Sequence, residues 1–459
     1  MIADLKPYPN YRKSDLPWAG YLPSAWSTER AKWLFTKMDR PVRPEDEVVT
    51  CFRDGMVTLR KNRRLRGFTE ATFESGYQGI RKGDLVIHGM DAFAGAIGVS
   101  DSDGKGTPVY NVCQPRPGVI PHYYAQTLRE MSQSGWILAL AKGIRERSTD
   151  FRFEMFGNQR VPLPSQDEQL AIVKFLESAN GRLDRAIRAK RKVIALLNEQ
   201  KQAIIHRAVT RGIDSSVFLK PSGISWLGDI PKHWDARRSK YVYREVDNRS
   251  ESGEETHLSM SQKFGLIPYS QIEEKRLVSE SYAGAKLCEK GDLVLNRLKA
   301  HLGVFALAPE RGLVSPDYTV LRPLQEIEAR YFEAVYRSPA CRVELRKRTK
   351  GIVQGFWRLY TDDFYDIRVP FPPVEEQKRI IAQLDIDLSG INTAISRLER
   401  EIDLLREYRT RLVADVVTGK LDVREAAAKL PVEEQAIEPG ELVEDDREMI
   451  EDEITEPAE

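Results

Sequence analysis

The 459-residue sequence is poor in the features that would give it chemistry of its own. Its four cysteines, Cys51, Cys113, Cys288 and Cys341, lie far apart and form no Cys-x-x-Cys pair. That excludes a zinc ribbon or a disulfide framework and fits a reducing cytoplasm. The six histidines are scattered, with no His-Glu-x-x-His. No Asn/Asp-Pro-Pro-Tyr/Phe methyltransferase motif occurs. The nearest approach to a phosphate loop, Gly98-Val-Ser-Asp-Ser-Asp-Gly104-Lys-Gly106, has the wrong spacing and no Ser/Thr after its lysine. Pro316-Asp317 lacks the Glu-x-Lys of a nuclease centre. No apolar run approaches the ~20 residues that span a bilayer, and Met1–Asn10 carries no signal pattern. The expectation is a cytoplasmic, non-catalytic chain that binds no metal or cofactor itself.

Charge is present but segregated. The formal net charge is +1. From Glu433 to Glu459 there are thirteen acidic residues against one basic, Arg447, which leaves the other 432 residues with 69 Lys+Arg and 56 Asp+Glu. A basic body suits a polyanion partner, because lysine and arginine release condensed counterions when they neutralise phosphates. The tail, 421–459, is highly charged and poor in aromatics, and is expected to be disordered. Whether it imitates a polyanion or aids solubility stays open.

Self-similarity is the most informative feature. Trp18-Ala-Gly-Tyr-Leu-Pro-Ser-Ala-Trp26 is echoed by Trp226-Leu-Gly-Asp-Ile-Pro-Lys-His-Trp234, at an offset of 208. Lys82-Gly83-Asp84-Leu85-Val86 recurs as Lys290-Gly291-Asp292-Leu293-Val294, and Lys142-Gly-Ile as Lys350-Gly-Ile. Arg160-Val-Pro recurs as Arg368-Val-Pro, Glu168-Gln169 as Glu376-Gln377, and Val209-Thr as Val417-Thr, all at 208. This predicts a tandem duplication of one mixed α/β unit. The paired tryptophans, identical in both copies, read as packing residues. Asp84 and Asp292 read as turn caps rather than metal ligands.

Each copy ends in a proline-rich stop, Val161-Pro-Leu-Pro and Val369-Pro-Phe-Pro-Pro, which holds the chain extended. A helix follows, with acidic residues at its positive end. In the second helix Leu384, Ile391, Leu398, Leu405 and Leu412 are spaced by seven. Leu388, Ile395, Ile402 and Val416 fill the alternate stripe, broken by Arg409. In the first, Leu176, Leu183, Leu197 and Ile204 match, with Ile187 and Ile194 beside them and Lys190 and Lys201 interrupting. Such heptad seams predict a coiled coil; about 43 residues at ~1.5 Å each make a helix of roughly 65 Å. The predicted organisation is an α/β domain over 1–165, a long helix over 166–212, a linker and second α/β domain over 213–373, a second helix over 374–420, and the tail.

Candidate DNA contacts follow from residue type. Arg60, Lys61, Arg63, Arg64 and Arg66 concentrate five cations in seven residues. Asn296, Arg297, Lys299 and His301 follow the Gly-Asp-Leu-Val strand. Arg346, Lys347, Arg348 and Lys350, then Gln354 and Arg358 beside Trp357, combine charge, an amide suited to adenine and an aromatic. Lys142 and Lys350 occupy matching places, with Arg145 after the first.

Taken together, the Trp-x-Gly-x-x-Pro-x-x-Trp opening, the Gly-Asp-Leu-Val strand and the Pro-x-Pro-x-x-x-Glu-Gln helix start resemble the DNA-specificity subunit of type I restriction–modification systems. All occur twice, across about nine tenths of the chain. The first copy departs slightly, with Pro-Leu-Pro-Ser-Gln-Asp-Glu-Gln at 162–169. The resemblance implies two target recognition domains, each reading half of a bipartite, non-palindromic DNA site. It implies an antiparallel intramolecular coiled coil that spaces the half-sites and docks two methyltransferase subunits. It also implies that S-adenosylmethionine, ATP and Mg2+ are used only by partners, among them a restriction–translocase subunit. The competing readings are a coiled-coil scaffold or adaptor without specific DNA readout, and an enzyme with a degenerate motif.

Overall fold

The computed structural model describes residues 5–63, 75–140, 150–261, 264–272, 282–351 and 357–431. It is a mixed α/β structure with two helices far longer than the rest, Gln166–Arg211 and Val374–Val417. The described chain forms two compact units. One holds residues up to Arg188 and from Ile402 onward; the other runs Ala189–Glu401. Both long helices are therefore divided between units.

In the first unit a four-stranded antiparallel sheet runs in the order Phe35–Lys37, Tyr110–Pro115, Leu85–His88, Ile97–Val99. Alternate side chains leave a strand on opposite faces, and the sequence uses both faces. Leu85 and Ile87 enter the larger core, which also holds Trp26, Tyr123 and Leu128. Val86 and Val112 enter a smaller one with Val49 and Ile80. The helix Pro121–Gln133 packs on the first face.

The second unit has its own four-stranded sheet, in the order Tyr243–Val246, Tyr318–Pro323, Leu293–Asn296, Phe305–Leu307. Leu293, Leu295 and Leu321 join the core of Trp234, Tyr331 and Phe332. Val294 and Val320 face a smaller cluster. Ala329–Arg337, Pro339–Arg348 and Thr361–Tyr365 are shorter helices of this unit.

The tryptophans divide by position. Trp26 and Trp234 are 1% and 0% exposed, and each ring meets a tyrosine edge-on, Tyr123 and Tyr331 respectively. Trp18 and Trp226 are half-buried against the same cores. Gly83 and Gly291 both take a positive φ, +90° and +87°. The following aspartates accept from the backbone N–H of Arg81 and of Glu289, each at 2.8 Å, and pair with Arg40 and Arg322. Capping of this turn is thus their structural work.

The proline stop is a strand in both places: Arg160–Leu163 pairs with Ser27–Arg30, and Arg368–Phe371 with Asp235–Arg238. The glutamine of the Glu-Gln motif then ties the long helix to its unit. Gln169 donates to the Pro164 carbonyl at 3.0 Å and accepts from Ile120 N–H at 2.9 Å. Gln377 donates to Pro372 and accepts from Glu328 N–H, both at 2.8 Å. Each glutamine is almost wholly buried and joins the start of the long helix to the residue preceding a shorter one.

The apolar stripes of the long helices have two uses, where the sequence suggested one. Their ends sit in the unit cores: Phe175, Leu176, Leu412 and Val416 in the first, Val209, Ile380, Ile381 and Leu384 in the second. At the remaining seam positions named above, Leu183, Ile187 and Ile402 are buried, and Ile194, Leu197, Ile204, Ile391, Ile395, Leu398 and Leu405 half-buried.

Candidate nucleic-acid interface

The cations predicted to contact DNA fall into three groups. Arg64, Arg66, Lys142, Arg145 and Gln354 lie outside the described residues. Arg60, Lys61 and Arg63 follow the hairpin Val49–Cys51 and Val57–Leu59 and are engaged locally. Arg60 donates to Thr50 Oγ1 at 3.2 Å, Lys61 pairs with Glu47 at 2.5 Å, and Arg63 pairs with Asp54 at 2.6 Å beneath the Phe52 ring. Lys61 remains more than half exposed, so its charge is available at the surface.

The remaining candidates sit in the second unit, at the C-terminal end of the strand Leu293–Asn296. Asn296 is buried and its side-chain oxygen accepts from Leu298 and Lys299 N–H, so it starts the helical turn Arg297–Leu302 instead of facing solvent. Arg297 reaches sideways: Nε donates to the Asp317 carbonyl at 2.8 Å and Nη2 to Pro316 at 3.4 Å. Its own carbonyl accepts from Leu359 N–H at 3.1 Å. That contact brings in the neighbouring segment, where Lys350 and Arg358 exchange both backbone hydrogen bonds at 2.9 and 2.8 Å. Arg358 pairs with Asp317 Oδ1 at 3.2 Å, and Lys350 with Asp363 at 2.7 Å. Trp357 and Tyr360 flank Arg358, each more than 40% exposed. Three candidates separated by up to 61 residues in sequence, Arg297, Lys350 and Arg358, thus share one surface with two exposed rings.

Arg346, Lys347 and Arg348 occupy the last turn of Pro339–Arg348, which packs on the turn Arg297–Leu302. Arg348 and Lys347 face Glu344 on their own helix. Burial, and then the nearby Arg346 charge, holds His301 below the usual imidazole range. His301 is therefore a neutral neighbour of this helix at physiological pH.

Sequence reasoning passed over the acidic members, Asp317 and Asp363, which hold the cations in place. It also passed over the matching surface of the first unit. There Phe151 N–H donates to the Gly89 carbonyl at 3.0 Å, the same contact that Leu359 makes with Arg297, 208 residues on. The side chains differ: Gly89 stands where the second unit has Arg297, and Asp150, paired with Arg152, where it has Arg358. A cleft lined by Lys37, Gln78, Gly89, Asn111, Asp150 and Arg152 opens there. The signal was available in the 208-residue offset, which aligns 89 with 297 and 150 with 358.

Comparison with known proteins decides what this surface belongs to. Residues 253–402 match the family model for the type I restriction modification DNA specificity domain. A putative type I restriction enzyme MjaX specificity subunit from Methanocaldococcus jannaschii is 21% identical over 453 residues, covering 90% of this chain and 97% of its own. The MjaVIII specificity subunit of the same organism is 24% identical over 288 residues, 59% of this chain and 64% of its own. The chain is thus similar to type I restriction enzyme specificity subunits. In fold, this chain is similar to a chain from a solved type I R-M system studied for complex assembly and conformational transition. The TM-score is 0.60 at 18% identity, over 87% of this chain and 99% of that one. Among the described residues no helix is long and apolar enough to cross a membrane.

Proposed function

We propose that this chain is a type I restriction–modification specificity subunit that reads a bipartite, non-palindromic DNA site through two related but diverged surfaces, and directs two methyltransferase subunits and a restriction–translocase subunit to it. The observation that carries this reading is the shared backbone contact at Gly89 and Arg297 presenting different side chains. One frame with two sets of donors and acceptors suits two different half-sites. In the second surface, arginines beside exposed rings suit guanine edges and phosphates. In the first, carboxylates such as Asp150 suit the cytosine amino group.

The long helices form the spacer in this reading, as an antiparallel coiled coil. Contacts between them support it. Asp184 pairs with Arg409 in the first unit; in the second, Lys190 meets Glu401 at 2.5 Å and Lys201 meets Asn392 at 2.8 Å. As the first number rises the second falls by nearly as much, which is the register of antiparallel neighbours. Each of the three polar interruptions of the seam, Lys190, Lys201 and Arg409, is answered by a polar side chain, a device that fixes register at some cost in stability. S-adenosylmethionine, ATP and Mg2+ would be bound by the partners.

Genome-wide adenine-methylation mapping tests the proposal, comparing cells with this chain and its cognate methyltransferase against cells with the methyltransferase alone. A split motif with a fixed gap is expected, and exchange of residues 14–165 should alter only one half. Soluble, mutually bound subunits that produce no motif would overturn the reading in favour of a scaffold.

A further inference from the structure

The three seam cations are not answered equally. Lys190 and Arg409 meet carboxylates, whereas among the described residues Lys201 meets only the amide of Asn392. Lys201 also lines a cavity of about 460 Å³ inside the second unit. The cavity lies among the later part of the first long helix, the start of the second, and the helices Ala329–Arg337 and Pro339–Arg348.

Four cations, Lys201, Arg330, Arg337 and Arg342, line this cavity with two carboxylates, Glu333 and Asp385. Both carboxylates are committed. Asp385 takes a two-pronged contact from Arg330 at 2.6 and 2.9 Å, and Glu333 takes Arg337 at 3.0 Å. Arg342 keeps a buried Nε with no hydrogen-bond partner among the described residues. Burial and the Arg337 charge hold the Lys201 ammonium below its usual range. Among the described residues the lining has an excess of two positive charges, which in a partly closed space is costly unless something compensates it.

The fold does not demand the cluster. In the first unit the positions 208 away carry His122 for Arg330, Ala125 for Glu333 and Ser134 for Arg342. Arg409, which stands for Lys201, has Asp184. The same places in the first unit hold two cations, Arg129 (for Arg337) and Arg409, and two carboxylates, Glu177 (for Asp385) and Asp184 (for Asn392), so the excess charge is particular to the second unit and the shared frame does not explain it. A multiply charged oxyanion does. An arginine fork and a lysine point charge together suit phosphate oxygens, and a cavity of this size accepts a small molecule.

We propose that this cavity binds a small polyphosphate, free or carried by a nucleotide, held between Lys201 and Arg342. The idea is independent of how the chain reads DNA. It is tested by isothermal titration of the full chain with pyrophosphate, ATP and adenosine, at matched ionic strength in chloride. One saturable site for pyrophosphate or ATP, with none for adenosine, is expected; pyrophosphate alone, or ATP alone, upholds the site and names the source. The double variant Lys201→Gln/Arg342→Gln should raise Kd about tenfold or more, the scale of a lost charge-assisted contact. If that variant fails to fold, Arg342→Lys, which keeps the charge and loses the fork, should still weaken binding severalfold. Absence of saturable binding, binding of adenosine as strong as that of ATP, or unchanged affinity in the folded variants would overturn the proposal.

Discussion

Gln377 offers the sharpest test of how each long helix is anchored. Its side chain is 0% exposed and makes two hydrogen bonds to main chain, to the Pro372 carbonyl and from Glu328 N–H. Gln377→Leu keeps the volume and removes both partners. A buried backbone group left without a partner costs about 1–3 kcal/mol. Two such groups, one of them only partly buried and open to rescue by water, give an expected loss of about 3 kcal/mol. For a unit the size of Ala189–Glu401, each kcal/mol moves Tm by about 2–4 °C, so a fall of roughly 6–12 °C is expected. Gln377→Glu should do no better, because a carboxylate cannot donate to Pro372. Differential scanning calorimetry of the full chain is the assay, since two units need not melt as one. Gln169→Leu serves as the matched variant and should lower the other transition. A Gln377→Leu chain within about 0.5 kcal/mol of the parent, or one in which only the first unit's transition moves, would refute the anchoring argument.

Three further outcomes are expected. Tyr123→Phe and Tyr331→Phe remove hydroxyls that donate to the Val417 and Val209 carbonyls at 3.2 and 2.8 Å. Each should cost about 1 kcal/mol or slightly more in thermal unfolding, because a buried acceptor is left open. Arg358→Ala, read by anisotropy on the mapped target, should cost about 1–3 kcal/mol and relax the motif at one position in one half if the arginine reads a base. If it contacts phosphate instead, binding should weaken across all sequences and the salt slope should drop by about 0.9. His88 is held below the ordinary imidazole range, chiefly by burial and against the pull of Asp91. The folded state therefore favours the neutral ring. That contribution to stability is complete above the unfolded pKa of about 6.5 and is lost as pH falls below it toward the folded value. His88→Gln should flatten the fall in Tm between pH 7.5 and 5.5; an unchanged slope would remove His88 from the account.

Much of this was legible in one dimension, for a definite reason. The alternation of Leu85, Val86 and Ile87, the heptad spacing from Leu384 to Leu412, and the glycine before Asp84 and Asp292 are local consequences of strand, helix and turn geometry. The offset of 208 needed no structure at all. Residue type also marked Arg297, Lys350 and Arg358 as candidates. It did not set them apart from Asn296, which resembles a contact residue in sequence but is buried as a cap.

What only the tertiary structure decided concerns partners distant along the chain. Sequence shows a cation in a seam; it does not show that Arg409 finds Asp184 while Lys201 finds the amide of Asn392. It shows a glutamine repeated after each proline stop, but not that Gln377 reaches back to the residue before another helix. Nor does it show that Asp317 and the Leu359 amide draw Arg297 and Arg358 onto one surface. Local geometry is written in periodicity, which a single strand or helix enforces on itself. Electrostatic pairing and surface convergence depend on which segments the packed cores bring within about 3 Å, and that distance exists only after folding.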